Sequence, residues 1–331
     1  MSSRLHPAWS LIGASVRGAA HVRANLPNQD AISVWSPAHS DGLPGIVVVS
    51  DGHGSAKCFR SDKGARRAVR AANPLIRQFL DSQQDATNLS TIKRTAEERL
   101  PQLIARKWQD LIARDWQNHP FSPDELDMLE KKAGIAARQA VEAKPEIAYG
   151  ATLLSVAVTE TFILYLQLGD GDILTVSETG QVERPVPKDE RLLGNETTSL
   201  SGEQAWLDFQ VRFQVMADTP PALILLATDG YANSFRDEAN FLKVGSDLLD
   251  LLRSEGVDKV NASLKGWLAE ASQTGSGDDI TLGLMCRMDA LSPLEAITIA
   301  QPPVTQETQI ASVVETLTLS QQENAGDIQV A

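Results

Sequence analysis

Residues 45–54 read GIVVVSDGHG. Five β-branched or small apolar residues in a row, closed by Ser50, are strand-length and carry no polar alternation. Such a run predicts a strand buried on both faces. Asp51 follows at its end, where a carboxylate is held rigidly, and Gly52 lets the chain turn sharply with a ligand close to the backbone. Two further segments have this form: residues 223–230 read LILLATDG, and residues 276–285 read SGDDITLGLM. With Asn28–Gln29–Asp30 and Gly169–Asp170–Gly171–Asp172, five short segments each set an Asp beside Gly or at a strand end. Alone, an Asp-Gly pair is a turn. Several carboxylates gathered together repel, and a hard divalent cation with oxygen ligands, Mg²⁺ or Mn²⁺, removes that repulsion.

Outward from these segments, strands are expected over Trp9–Val16, Ala31–Trp35 and Gly45–Ser50. Helical spacing of apolar residues then takes over within residues 62–142. Ala65, Ala68, Val69, Ala72, Ile76 and Leu80 form one stripe. Leu100, Ile104, Trp108, Leu111, Ile112 and Trp116 form another, which contains the local echo LIARKWQD–LIARDWQN. Pro120 and Pro123 end that helix, and Asp124–Glu142 is expected to be one more. Strands return at Ala151–Thr159, Thr161–Leu168, Ile173–Ser177, Phe209–Met216, Ala222–Thr228 and Ile280–Arg287, with helices at Phe241–Leu252 and Val260–Ala271. This order implies an α+β layered domain rather than regular βαβ winding. Residues 185–203 are a candidate flap, and Arg66, Arg67 and Arg70 are expected on a solvated helix face.

The 331 residues carry 30 Lys+Arg against 43 Asp+Glu, a net charge of −13, which disfavours a nucleic-acid binder. No apolar run reaches the roughly 18 residues of a membrane span. Arg4, His6, Pro7, Trp9 and Arg17 interrupt any leader-like apolar core, and the two cysteines, Cys58 and Cys286, suit a reducing cytoplasm. The five histidines (6, 21, 39, 53, 119) form no zinc-type pair. Residues 291–331 hold five acids and no Lys, Arg or aromatic residue, and are expected to form a flexible acidic tail beyond a domain of residues 1–290.

In order, NQD, DGHG, GATL, GDGD, ATDG and DDIT resemble the metal-dependent protein serine/threonine phosphatases, the PPM or type 2C family, in its bacterial form. The resemblance spans about residues 8–288. It implies a four-layer α-β-β-α sandwich of two antiparallel sheets flanked by helices, with a metal cluster at one edge. It further implies that Asp51 bridges two Mg²⁺ or Mn²⁺ ions, that the Gly52 carbonyl binds one, and that Asp229 and Asp278 complete the ligand set of the second ion. Asp30 matches the acid of the family's first motif, as metal ligand and catalytic residue, with Gln29 where some members use Glu. Asp170 matches a third, looser metal position. Asp279 stands where Asn is commoner, and Thr152 is expected to support the sheet edge.

The family's Arg that grips substrate phosphate is here Asn25, with Arg23 and His21 near enough to replace it, and Asp172 stands where some members carry Arg. The implied reaction is hydrolysis of phosphoserine or phosphothreonine on proteins, by in-line attack of a metal-bridged hydroxide with His53 protonating the leaving alkoxide. The implied partner is a phosphorylated protein, opposite a Ser/Thr kinase, with no nucleic acid or membrane involved and the chain a monomer. A second class also fits the sequence: a catalytically weak sensor, or phosphoprotein-binding module, that keeps the fold.

Overall fold

A computed structural model of the chain describes residues 8–38, 41–83, 88–189, 197–216 and 220–292. The expected tail from residue 293 onward and residues 190–196 of the expected flap lie outside the described residues. Among the described residues, ten strands form two antiparallel sheets. One has the order β1 (Trp9–Val16), β10 (Ile280–Arg287), β9 (Leu223–Ala227), β6 (Asp172–Val176), β7 (Val182–Glu183). The other runs β2 (Ala31–Trp35), β3 (Gly45–Ser50), β4 (Leu153–Val158), β5 (Phe162–Leu168), β8 (Gln210–Val215). The strand β7 is only two residues long, too short to show any periodicity in the sequence.

The continuous apolar runs have a simple cause, because a central strand of a sandwich flanked by helices is dry on both sides. Ile46 and Val48 of β3 pack toward Ala65, Ala68, Ala72 and Ile76 of α2 (Ser61–Asp81) and Trp108 of α3 (Leu89–Asn118). Val47 and Val49 point the other way, into the layer between the sheets, with Ile224 and Leu226 of β9. Leu223, Leu225 and Ala227 of β9 then face Leu249, Leu252, Leu264 and Leu268. These belong to α7 (Glu238–Glu255) and α8 (Val257–Thr274). The layers are therefore α-β-β-α. Gly13 and Gly283 pair across β1 and β10, and a Cβ on either would come within 2.5 Å of Ile32 or Val47 of the facing sheet, so their lack of side chains sets how closely the sheets approach.

One expected helix is two. Within 124–142 the chain forms α4 (Pro123–Ala133) and α5 (Ile135–Ala143), broken at Gly134, whose φ of +84° is the left-handed region that glycine adopts without strain. Pro123 opens α4 at its first turn, where the missing N–H costs nothing, behind a Ser122–Glu125 capping box.

Arg60, just before α2, ties the end of α3 and the start of α4 to the turn that leads into β4. Its Nε and Nη2 donate to the two carboxylate oxygens of Glu125, both at 2.8 Å. The remaining donors reach the carbonyls of His119 and Pro120 and the hydroxyl of Tyr149, and the guanidinium lies 4.7 Å from the centroid of the Phe121 ring. Tyr149 in turn donates to Asp115, which also pairs with Arg67. Losing Arg60 orphans several of these groups at once, so Arg60→Ala is expected to cost about 3–4 kcal/mol in urea unfolding, whereas Arg94→Ala, on the outer face of α3, should leave the midpoint in place. The hydrogen bonds from Arg60 push the Glu125 carboxyl down to about 2 from an ordinary 4.5. A depressed folded-state value stabilises above the unfolded one. Stability is therefore expected to fall as the pH drops from about 4.5 toward 2, and Glu125→Gln should flatten that slope.

Candidate metal centre

Both sheets end at one edge of the sandwich, and the strand-end acids meet there. A cavity of about 740 Å³ is lined by Asp51, Asp170, Asp229 and Asp278 together with His21 and His53. Each is positioned by its element. The backbone on either side of Asp51 is fully used: its N–H donates to Thr152 Oγ1 (3.0 Å) and its carbonyl accepts from Thr152 N–H (2.8 Å). Gly52 N–H donates to the Gln29 carbonyl (3.1 Å) and His53 N–H to that of Gly150 (3.1 Å). A Cβ on Gly52 would sit 2.6–2.7 Å from the carbonyl oxygens of Ser61 and Gln29, so only glycine passes between them. Thr152 thus clamps the turn that carries Asp51, beyond supporting the sheet.

Asp229 opens a single helical turn, α6 (Asp229–Ala232), directly after β9. Its carboxylate lies within hydrogen-bond reach of that of Asp51. Burial holds the Asp51 carboxyl well above the usual carboxylate range, reinforced by the fields of Asp30 and Asp229. Burial raises Asp229 in the same direction. Asp30 is buried behind the cavity wall rather than lining it. It accepts from Thr228 Oγ1 (2.8 Å), and burial raises its carboxyl well above the ordinary value too. Thr228 Oγ1 also accepts from Thr281 N–H (2.9 Å), so two threonines beside the Asp segments of β9 and β10 tie one sheet to the acid of the other.

Asp279 is the residue whose role the sequence left unread. It is 3% exposed, and its carboxylate accepts from Gly18 N–H (2.6 Å), Gln29 N–H (2.6 Å) and His21 Nδ1 (2.8 Å), fastening the first motif to the last. The signal was the doubled Asp itself: both acids reach the cavity wall, Asp278 exposed there and Asp279 buried against the first motif. His21, proposed from sequence for phosphate, spends its ring on Asp279 and lies 3.5 Å from Asp278 through Nε2. Ligand atoms of His21, Asp278 and Asp279 lie within 4.8 Å of one another and could themselves hold an ion.

Arg23, the other phosphate candidate, is exposed on α1 (Ala19–Arg23) and does not line the cavity. Asn25 has a structural reason for its identity. It sits at φ +55°, its N–H donates to the Val22 carbonyl, and Leu26 N–H donates to that of His21. This is a Schellman closure of α1, whose left-handed position Asn adopts at less cost than Arg. Asp172 is likewise structural: it is buried and accepts from Arg184 Nε at 2.6 Å, away from the cavity. The carboxylate set, with Asp51 and Asp229 partly buried, Asp170 and Asp278 exposed at the mouth, and no Lys or Arg among the described lining residues, fits hard divalent cations. His53 lies beside it with Nε2 buried and without a partner among the described residues, and burial lowers its basicity against the opposing field of Asp170.

Over residues 17–269 the chain matches the family described as Protein phosphatase 2C. Among solved structures it is similar to the serine/threonine phosphatase Stp1 from Staphylococcus aureus, at 14% identity and a TM-score of 0.46, covering 86% of this chain and 98% of that one. It is also similar to the Mycobacterium tuberculosis serine/threonine phosphatase PstP/Ppp, at 15% identity and a TM-score of 0.49, over 84% and 98% of the two chains. A C. elegans sex determining protein is similar at 14% identity and a TM-score of 0.47, over 86% of this chain and 67% of that one. No curated protein matches the chain.

A carboxyl whose folded-state pKa is raised stabilises only below its unfolded value and destabilises once ionised. At neutral pH in EDTA, Asp51→Asn is therefore expected to unfold at higher urea than the unaltered chain, by about 1–2 kcal/mol, read from the denaturation midpoint.

Proposed function

The chain belongs to the protein phosphatase 2C family, and from that premise we propose that it hydrolyses phosphoserine and phosphothreonine on proteins with Mg²⁺ or Mn²⁺. The observation that carries the reading is the convergence of Asp51, Asp229 and Asp278 on one cavity with Asp170 at its rim and Asp30 behind. Asp51, the Gly52 carbonyl, Asp229 and Asp278 would hold two ions, and Asp170 would serve a third. Bound divalent ions supply a water of lowered pKa as nucleophile and neutralise phosphoryl charge.

The chain's own groups do the rest. Thr152 and Gln29 fix the Asp51–Gly52 turn through its backbone, so the carboxylate and carbonyl face the cavity without reorganising. Asp279 and the two threonines hold the acids of both sheets in register. His53, whose lowered basicity makes its protonated ring a stronger acid, gives a proton to the departing serine or threonine oxygen. The natural setting of this reading is cytoplasmic, with a Ser/Thr kinase supplying the substrate. One observation favours a second reading, a weak-turnover module that binds phosphoproteins: no arginine among the described residues lines the cavity to grip a phosphate.

Hydrolysis of p-nitrophenyl phosphate and of a phosphothreonine peptide, each with Mn²⁺, Mg²⁺ or EDTA, separates the two. The expected outcome is metal-dependent turnover of both, abolished in Asp51→Asn. Metal binding by calorimetry without turnover would establish the module instead. His53→Gln is expected to slow the phosphothreonine peptide about 10²-fold while barely touching p-nitrophenyl phosphate, whose leaving group departs without a proton.

A further inference from the structure

The helix face carrying Arg66 and Arg70, expected to be merely solvated, is one wall of a groove of about 700 Å³. Its other wall is β2, the outermost strand of its sheet, and no strand among the described residues pairs with its outer edge. Val34 on that edge is 40% exposed. An unpaired edge strand with an exposed apolar side chain is a template for an extended peptide.

The charge on the opposite wall specifies which peptide. Arg66, Arg70 and Arg77 fall on one face of α2 and all line the groove, in a chain whose net charge is −13. Arg66 reaches Asp62 at 3.3 Å and Arg77 stacks 4.0 Å over the Trp35 ring, while Arg70 has no acidic partner among the described residues. The one acid in the lining, Asp30, is buried and already accepts from Thr228. Asn73 Nδ2 donates to Ser33 Oγ (3.0 Å), closing the floor between helix and strand. From Arg66 to Arg77 the helix rises roughly 16 Å, about the length of five extended residues. At one end the groove reaches Asn28 and Asp30, the two neighbours of Gln29, which lines the acidic cavity.

We propose that this groove binds an extended acidic segment of the phosphoprotein substrate, its carboxylates facing Arg66, Arg70 and Arg77, with the phosphorylated residue carried past Gln29 into the cavity. The placement of the phosphorylated residue rests on the phosphatase reading, but the binding of an acidic segment does not.

Fluorescence anisotropy with the full chain tests it, using an unphosphorylated peptide that alternates Glu with Val and Thr, beside a counterpart with Lys in place of Glu. The acidic peptide alone is expected to bind, and raising the salt should weaken it. Replacing Arg66, Arg70 and Arg77 together by Gln, which keeps helix propensity, should weaken binding about tenfold or more. The same triple variant should lower kcat/KM about tenfold on a phosphothreonine peptide with acidic flanks and leave p-nitrophenyl phosphate unchanged. Equal binding of both peptides, or undiminished binding by the triple variant, overturns the proposal. So does acidic-peptide binding that emerges only when Glu295, Glu307, Glu315, Glu323 and Asp327 are replaced by amides, since the chain's own acidic end would then be the occupant. A chain that binds the acidic peptide through these arginines yet hydrolyses neither ester would keep the groove and refute the phosphatase reading.

Discussion

Carboxylates forced together at low solvent exposure are the constraint around which this molecule is arranged. Asp51 and Asp229 stand within hydrogen-bond reach of each other, with Asp30 close enough to raise Asp51 further. Left to itself such a cluster would push its members apart, and much of the local architecture reads as restraint against that. Both flanks of the Asp51–Gly52 turn are clamped by backbone bonds to Thr152, Gln29 and Gly150. Thr228 holds Asp30 from the opposite sheet, and Asp279 draws in Gly18, Gln29 and His21. The sandwich supplies the stiffness: strands buried on both faces, packed between two apolar layers, end where the acids begin.

What was legible in the sequence follows from which signals are local. GIVVVSDGHG and LILLATDG announce a dry strand with an acid at its end, because burial on two faces removes all polar alternation. The helices α2, α3, α7 and α8 were legible through spacing, being long enough for the period to repeat. The break at Gly134 was not, since helical spacing runs on across it and only its φ of +84° reveals the turn. Arg60 looked like any arginine before a helix. Its partners, Glu125, His119 and Tyr149, lie 59 to 89 residues away, and no local pattern joins them.

The site shows the same division. The acids facing the cavity could be picked out because Asp beside Gly at a strand end is a local pattern. Asp30, directly before a strand but with no glycine beside it, is set one layer behind, a distinction made only by the fold. Asn25 and Asp172, read as missing arginines, are positive choices for other tasks: one closes α1 in the left-handed region, the other pairs with Arg184. A departure from a family pattern therefore signals a lost function only after its local structural duty has been accounted for.

Those two departures leave a cavity that repels anions on its own. A phosphate approaching Asp51, Asp170, Asp229 and Asp278 without cations meets only negative charge, so cations must come first, and the described residues lining the cavity add no Lys or Arg to their attraction. In a chain of net charge −13, the arginines of α2 are placed to provide it. Recognition and chemistry would then occupy separate surfaces joined at Gln29: a basic groove for the flanking sequence and an acidic cavity for the ester. Such a division also makes the missing phosphate-gripping arginine tolerable, because substrate held by its flanks raises the local concentration of the phosphate at a cavity that has no arginine of its own to hold it.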